Sequence, residues 1–403
     1  MNILGKKNAA ELLKHIPMLL LIYWSIHYTW KSITDGEIYF PAWGDMTDQW
    51  RICVYTLLGA DPYELRGVVP PLSEDVGQIG VDFMTSPWGC FLGNIFYPGY
   101  LPFEVIGKYF IAANVAFLLL TAYIVLKYLQ SINVSKILRC ELLILLIFSP
   151  AFWRAIHQGN CASMIGCLIL MACFLHREFP ILSGIFLGFA MIKPQTALII
   201  CFAFLLIKSF KPIIIAATLD IFGWLVTSVL INKTPLVILH EFLTGEVGGF
   251  AAYRGILTFW YEYLPSQQII MPLSMLIGVI FVLIMHYFLR DCESDLIKLF
   301  PAIVASTFWS YSWENERFIL FILILICITL LLHSHNLLEK LLLFLMVAFF
   351  QMNVTLLVKS VEGVKAIDEV LRLWYLSHAV CDFLMIGFSI LLLIFFKRTA
   401  ILF

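Results

Sequence analysis

The stretch "ILSGIFLGFAMIKPQTALIICFAFLLIK" (residues 181–208) decides how this chain crosses a membrane. Apart from Ser183 and the terminal Lys208, its polar residues lie at 193–196 around Pro194, so it could form one long helix or two short ones that meet there. Proline lacks a backbone N–H and disfavours helix in the residue before it, which gives a break at this point a physical cause. Each loop after this stretch lies on one side of the membrane if the helix is broken and on the other side if it is continuous.

The composition of the whole chain indicates the solvent in which it folds. Of the 403 residues, 61% are hydrophobic and only 13% are charged, and the mean hydropathy is +0.92. Soluble domains carry about a quarter charged residues, and apolar runs long enough to cross a bilayer recur along this chain. We therefore expect an all-α polytopic membrane protein with about twelve transmembrane helices. The predicted spans are 15–33, 105–128, 137–153, 158–176, 180–192, 195–208, 212–231, 269–290, 297–311, 317–333, 339–358 and 376–397.

The basic residues decide between the two alternatives. With the break, fourteen Lys and Arg lie in short loops on one side, and eleven lie in longer loops on the other. The first set comprises the N-terminus, 127–139, Arg177, 208–211, 290–298, Lys340 and 397–398. Because basic residues concentrate in short cytoplasmic loops, we assign this set to the cytoplasm. The sequence thus predicts a broken helix, a multi-pass plasma-membrane protein with both termini cytoplasmic, and large outer loops at 34–103, 232–268 and 359–375.

The first outer loop, residues 34–103, is the strongest candidate for a site because it holds nine acidic residues. Loops of this length in a compact protein usually carry function. Within it, residues 46–58 have apolar side chains at helical spacing, which predicts a short helix on the membrane surface. Asp45 would then be the N-cap of this helix and Asp48 its capping-box partner. The two carboxylates could also meet a substrate head group or share a divalent metal, although no third oxygen ligand favours the metal.

Cysteine and histidine patterns add little. No CxxC, HExxH or Cys/His cluster occurs, so a tight structural metal site is not expected. Cys53 and Cys90 both fall in the first outer loop, where an oxidising compartment could join them. The other cysteines lie in or near helices and are expected to be small apolar fillers.

Several motifs, taken in order, resemble glycosyltransferase family 87, whose members have the GT-C fold. They are "GDMTDQWRICVYTLLGADPY" (44–63), "SPWGCFLGNIFYPGYLP" (86–102), "AIHQGNCASMIGCLIL" (155–170), "LSGIFLGFAMIKPQTALII" (182–200) and "STFWSYSWENERF" (306–318). Each motif alone is weak, but their order and spacing together are specific. The resemblance implies a single GT-C domain over 1–403, with 34–103 as a catalytic outer loop bearing interfacial helices and 232–268 as a second outer loop.

The resemblance also implies an activity. Family members take a sugar from a polyprenyl-phosphate donor, so we expect an inverting hexosyl- or pentosyltransferase, with mannose as the expected sugar. The acceptor would be a glycolipid or glycan at the outer face, in the biosynthesis of cell-envelope glycans. The sequence requires no cofactor, a divalent metal is possible but not favoured, and no nucleic acid is expected as a partner.

The resemblance assigns the general base to Asp45, at the family's spacing from Gly59. The expected substrate-binding residues are Asp48, Tyr63, His157, Gln158, Asn160, Lys193, Arg254, Trp313, Glu314 and Arg317. Lys193 is the first choice for the donor phosphate, because an ionisable group inside an apolar stretch is a functional hypothesis by default. Its alternative role is a lysine that extends its ammonium to the membrane interface.

The other candidates keep ordinary structural alternatives. Arg254 lies in a Gly-rich outer segment that could approach a phosphate closely, or it is a solvated loop arginine. The residues His157, Gln158 and Asn160 open a helix, where they could bind an anion or sugar or simply cap the helix. Arg317 could meet the substrate or pair with a neighbouring glutamate.

Two departures from the family pattern limit what can be carried over. His157 stands where the family's Gly-Gln-x-Asn motif begins with glycine, although Gln158 and Asn160 keep their places. After Trp313 the family's histidine is missing, and the chain continues with "ENER" (314–317). A phosphate or acceptor contact made by that histidine is therefore not assigned to this chain.

Two other functions remain open at the level of sequence. A transporter or flippase for a lipid-linked saccharide would also use broken helices and an intramembrane lysine. Against it, the two halves show no repeat and the acidic residues gather in one loop. An oligosaccharide polymerase or ligase would use a diphosphate-linked donor and a large late outer loop rich in arginine, whereas here the largest loop comes first and is acidic.

Overall fold

A computed structural model gives the architecture of the chain. It describes residues 15–16, 18–30, 44–63, 86–244, 267–308, 314–333, 342, 344–347, 380 and 383–394. Over these residues the secondary structure is entirely helical. The all-α prediction is therefore confirmed for the described part of the chain.

The helices are numbered in chain order. They are α1 (18–30), α2 (Gly44–Leu57), α3 (Gly89–Leu92), α4 (Phe103–Ser131), α5 (Lys136–Ile147), α6 (Pro150–His157), α7 (Ala162–Leu175), α8 (Pro180–Ala190), α9 (Pro194–Leu206), α10 (Phe210–Leu230), α11 (Pro235–Thr244), α12 (Gln267–Leu289), α13 (Asp295–Ala305), α14 (Phe321–His333) and α15 (Phe383–Ile394). Short 3₁₀ helices cover Gly93–Ile95 and Glu314–Leu320.

Three helices in the described ranges are long and apolar enough to cross a membrane: α4, α10 and the Pro272–Leu289 part of α12. A helix needs about twenty apolar residues to span the hydrocarbon core. The other apolar helices in these ranges, such as α7, α8 and α9, have 10 to 17 residues. The prediction of a membrane protein is thus supported by helix length and composition, and the count of twelve spans stays a prediction.

The predicted break in 181–208 is confirmed. Helix α8 ends at Ala190, and α9 begins at Pro194, where proline is well placed because the first helical residue has no intrahelical N–H bond to lose. The same rule corrects the predicted span 137–153. Pro150 opens the separate helix α6 after α5 has ended at Ile147, so this stretch is two helices.

Helix α7 lies at the centre of the described bundle. Every residue from Ala162 to Cys173 is buried, as expected for a helix that is apolar on all sides. Beside it, small residues bring α8 and α10 close together: a Cβ added to Gly184 would lie 2.7 Å from Pro212 O. Close approach of helices at small residues is the usual way in which membrane helices pack.

Contacts between loops group at two ends of this bundle. At one end Asp295 forms an ion pair with Arg177, and His176 Nε2 lies 3.4 Å from Asp295 Oδ2. The other ring nitrogen of His176 lies 3.3 Å from Ser209 Oγ. All four residues come from loops or helix ends that the charge distribution assigns to one side. This grouping agrees with loops that alternate between the two sides of the membrane when the chain turns at the α8–α9 break. Which end of the bundle faces the cytoplasm stays a prediction.

Candidate active site

The end of the bundle opposite Asp295 is called here the site end, because two chain breaks meet there. At the α6–α7 corner, Gly159 has a positive φ of +66°, and its carbonyl accepts a hydrogen bond from Tyr97 Oη at 2.9 Å. The next residue, Asn160, accepts from the backbone N–H of Ala162 at 2.9 Å and from Lys193 Nζ at 3.0 Å, both on Oδ1. Two candidates 33 positions apart in the chain are therefore in direct contact.

The segment 86–101, which the sequence predicts to lie in the first outer loop, covers the α8–α9 break. Trp88 Nε1 donates to Met191 O at 2.7 Å, and Ser86 Oγ donates to Ile192 O at 3.3 Å. Both acceptors are carbonyls released where α8 ends, and such groups need partners outside the helix. The 86–101 segment is thus attached directly to the break that carries Lys193.

Helix α2 packs on the same segment. Trp50 Nε1 donates to Leu101 O at 3.2 Å, and its ring lies 5.2 Å from that of Phe103. A Cβ added to Gly99 would lie 2.7 Å from the carbonyl carbon of Cys53, so the two backbones nearly touch. The helix that carries the two acidic candidates is therefore held at the site end.

Helix α2 differs from the predicted surface helix in two ways. It begins at Gly44, so Asp45 lies in its first turn and the prediction that Asp45 is the N-cap is wrong. Its polar residues do not face water: Asp48 is 3% exposed and Arg51 is 1% exposed, because the 86–101 segment and α10 cover the helix. Residues three apart share one helix face, so α2 presents a buried carboxylate and a buried guanidinium together. The side chain of Asp45 lies outside the described part of the structure.

The remaining candidates are only partly described. His157 ends α6 and is half-buried, and within the described residues its Nε2 is buried without a hydrogen-bond partner. Gln158 is half-buried at the C-cap of α6. The candidates that lie outside the described residues are Arg254, Trp313 and the side chain of Glu314.

Arg317 lies on the 3₁₀ helix Glu314–Leu320, which packs on α6 and α7, and it is 8% exposed. The next residue, Phe318, places its ring 5.0 Å from that of Phe152 on α6. On α7, a Cβ added to Gly166 would lie 2.8 Å from Phe318 Cδ1. Arg317 is therefore buried against the two helices that form the α6–α7 corner.

Tyr63 lies beyond the end of α2 and is tied into the first loop. Its backbone N–H donates to Asp61 Oδ1 at 2.8 Å, and its hydroxyl lies 3.6 Å from Cys90 Sγ. Tyr63 is half-buried next to α3. The structure brings Asn160 and Lys193 together, and it brings α2 and Tyr63 to the same 86–101 segment.

Reasoning from the sequence did not predict which residues attach the 86–101 segment, namely Ser86, Trp88 and Tyr97. All three lie in the motif "SPWGCFLGNIFYPGYLP", whose small polar and aromatic residues were the available signal. It also missed Asp220, a carboxyl group within the apolar helix α10. A lone acidic residue in a membrane span is itself a signal for function.

Metal-ligating side chains and thiols are the remaining reactive groups near the site end. No group of three or more His, Cys, Asp or Glu side chains that could hold a metal occurs within the described ranges. Cys53 and Cys90 are free thiols, and both are buried. Burial raises the pKa of the Cys90 thiol to about 12, so it stays protonated at neutral pH.

Thiol labelling tests this part of the site. At pH 7.5 we expect a maleimide to modify Cys292, in the loop between α12 and α13, and to leave Cys90 unmodified, because the thiolate is the reacting form and Cys90 is both protonated and buried. Mass spectrometry of labelled peptides before and after denaturation would show which thiols reacted. Fast native labelling of Cys90 would contradict the described packing of the loop.

The backbone contact at Gly99 gives a second prediction. Gly99→Ala should lower stability by about 1–3 kcal/mol, because the added methyl group meets backbone atoms of α2 that cannot move aside. The matched control is Gly387→Ala on α15, where an added Cβ has no atom within 4 Å. Thermal unfolding of both variants checks this. Equal midpoints for the two would show that α2 does not lie against Gly99.

Comparisons with known proteins indicate the class of reaction that this site catalyses. The family model for glycosyltransferase family 87 matches residues 90–357, about two thirds of the chain. The match includes the α6–α7 corner and the α8–α9 break, whereas α2 lies before it. No curated protein and no solved structure matched. Since the matched part far exceeds half of the chain, this membrane protein belongs to glycosyltransferase family 87 and is a membrane glycosyltransferase.

Proposed function

We propose that the chain transfers mannose from a polyprenyl-phosphate donor to a lipid-linked or glycan acceptor at the outer face of the plasma membrane. The observation that carries the proposal is the hydrogen bond from Lys193 Nζ to Asn160 Oδ1, at 3.0 Å, where two broken helices meet in a family 87 chain. The proposal puts this ammonium group at the depth of lipid phosphates, because lysine side chains near helix ends extend to the membrane interface. The proposal includes a GT-C fold of about twelve spans with both termini cytoplasmic.

The donor phosphate is proposed to bind Lys193, with Arg317 and His157 beside the same corner. The bond between the anomeric carbon and the phosphate oxygen breaks during transfer, and negative charge accumulates on the departing lipid phosphate. Charged and hydrogen-bonding donors held in place stabilise this charge without reorganising. Asn160 acts on Lys193, because its amide oxygen fixes the position of the ammonium group.

The proposed general base is Asp45, in the first turn of α2. A carboxylate held beside the acceptor hydroxyl can act as a general base, which is the role the proposal gives to Asp45. It would take the proton of the acceptor hydroxyl as that oxygen bonds to the anomeric carbon. A single displacement of this kind inverts the anomeric centre.

The sugar and acceptor are proposed to contact the remaining candidates, which are Asp48, Tyr63, Gln158, Arg254, Trp313 and Glu314. Asp48 lies one turn after Asp45 on α2 and is buried. It would therefore contact a sugar or acceptor group that binds in the interior of the protein. Trp313 has an aromatic face suited to stacking on a sugar ring.

The proposal is tested with purified protein and three radiolabelled donors that carry the same sugar: a polyprenyl phosphate, a polyprenyl diphosphate and a nucleotide. We expect a new glycosidic bond with the polyprenyl phosphate alone. Use of the diphosphate donor would support a polymerase or ligase. Movement of label across vesicles without a new bond would support a transporter.

The same assay measures metal dependence. We expect EDTA to leave the rate unchanged, because the proposed steps need only side chains of the protein. A loss of activity that Mg²⁺ or Mn²⁺ restores would show instead that the carboxylates of α2 hold a metal ion.

A further inference from the structure

Lys233 joins the two outer segments that the structure describes near the site end. It follows α10, after Asn232 has turned the chain with a φ of +54°. Its Nζ forms an ion pair with Asp61, just beyond α2, and another with Glu241 on α11, where the Nζ–Oε1 distance is 2.7 Å. One ammonium group thus holds a carboxylate from each of the two segments.

The contacts around Asp61 fix the end of α2. Asp61 uses its other oxygen, Oδ1, to accept the backbone N–H of Tyr63 at 2.8 Å. Gly59 ends α2 with a φ of +79°, and an added Cβ there would lie 3.1 Å from Leu230 O. Leu230 is the last residue of α10, so the ends of the two helices touch where Asp61 and Lys233 pair.

The network is centred on a buried carboxylate, and its other two members, Lys233 and Glu241, are partly buried. The Asp61 side chain is 5% exposed and the Lys233 side chain is 20% exposed. Exposed ion pairs contribute little because water screens them, whereas removing one partner of a buried pair leaves an uncompensated charge. The position of Lys233 therefore fixes the position of Asp61. An ammonium group already held by two carboxylates is also a poor candidate for the donor phosphate.

We propose that the Asp61–Lys233–Glu241 network positions α2, and with it the acid in the first turn of α2, for sugar transfer. The inference rests on the proposed function, because it assigns the base to that helix. The 86–101 segment holds one side of α2 through Trp50 and Gly99, and the network holds its C-terminal end. Losing one of two attachments lets the helix rotate, and a misplacement of about 1 Å at reacting groups can cost about 10²-fold in rate.

The test uses three variants. Lys233→Met removes the charge and keeps the length of the side chain, whereas Lys233→Arg keeps the charge. The triple variant Asp61→Asn/Lys233→Met/Glu241→Gln leaves no unpaired charge, so it can fold where a single variant fails. Lys211→Met, an exposed lysine on α10 at the opposite end of the bundle, is the control.

We expect kcat to fall by about 10–100-fold in Lys233→Met and in the triple variant, with most of it restored in Lys233→Arg. The KM for the donor should stay unchanged, because Lys193 and Asn160 remain in place. Hydrogen exchange of the α2 amides should become faster, with no change in α7. A folded triple variant with wild-type α2 exchange would overturn the proposal, and so would faster exchange with unchanged kcat.

The exchange measurement separates this inference from the proposed function. If the wild-type protein forms no glycosidic bond with any donor, the assignment of the function fails. Exchange of α2 in the same variants would still show whether the network holds the helix. If the wild-type protein is active and the triple variant matches it, the positioning role alone fails.

Discussion

Asp45→Asn is expected to lower kcat for sugar transfer by about 10²–10⁴-fold, the usual contribution of a positioned general base. Asparagine has nearly the same shape but cannot accept the proton of the acceptor hydroxyl. Because asparagine keeps the size of the side chain in the first turn of α2, folding and the KM for the donor should be unchanged. The measurement is steady-state transfer from a radiolabelled polyprenyl-phosphate sugar, corrected for the amount of folded protein.

Two further variants sharpen this experiment. Asp291→Asn, at an exposed residue in the loop before α13, should keep full activity and controls for the loss of one carboxylate. Asp48→Asn should act chiefly on the KM for the acceptor if the buried Asp48 contacts the substrate. Full activity in a folded Asp45→Asn protein, or loss of activity in Asp48→Asn alone, would move the base away from Asp45.

Lys193→Met is expected to lower kcat/KM for the donor by about 10²–10³-fold, the typical effect of removing one group that stabilises charge in a transition state. Methionine keeps an unbranched side chain of similar length but brings no charge to the leaving phosphate. Lys193→Arg should retain part of the activity, because it keeps the charge with a different geometry. If Lys193 only extends its ammonium to the membrane interface, both variants should match the wild-type protein.

The contact with Asn160 makes this prediction sharper. Because Asn160 acts through Lys193, Asn160→Ala should lower kcat/KM in the wild-type background and have no further effect in Lys193→Met. A double-mutant cycle measures this directly. Additive effects of the two substitutions would show that Asn160 acts independently of Lys193. Its hydrogen bond with the backbone N–H of Ala162, at the start of α7, would then be the contact that matters.

Local rules predicted the parts of the fold that depend on local chemistry. Pro194 predicted the α8–α9 break, and the spacing of apolar residues predicted α2 to within two residues of its observed start. The α5–α6 break was missed although Pro150 signals it, because apolar residues continue on both sides of Ser149 and Pro150. Length and composition of apolar runs do not show where a helix bends inside the membrane.

These local rules could not predict contacts between residues that are far apart in the chain. Reasoning from residue type selected Lys193 and Asn160 separately, and only the fold shows that they touch. Periodicity placed α2 on a surface, but the burial of Asp48 depends on how the 86–101 segment packs over it. The pairing of Asp61 with Lys233 likewise needs α2 and α10 to end side by side.

The most direct test of the central claim is to locate the donor on the chain. A polyprenyl phosphate with a photoreactive group next to the phosphate would be crosslinked to the purified protein and mapped by mass spectrometry. The account predicts labelling of residues 154–160 and 193–195 that unlabelled donor competes away. Labelling at the opposite end, around His176 and Asp295, or labelling that the donor does not compete, would contradict it.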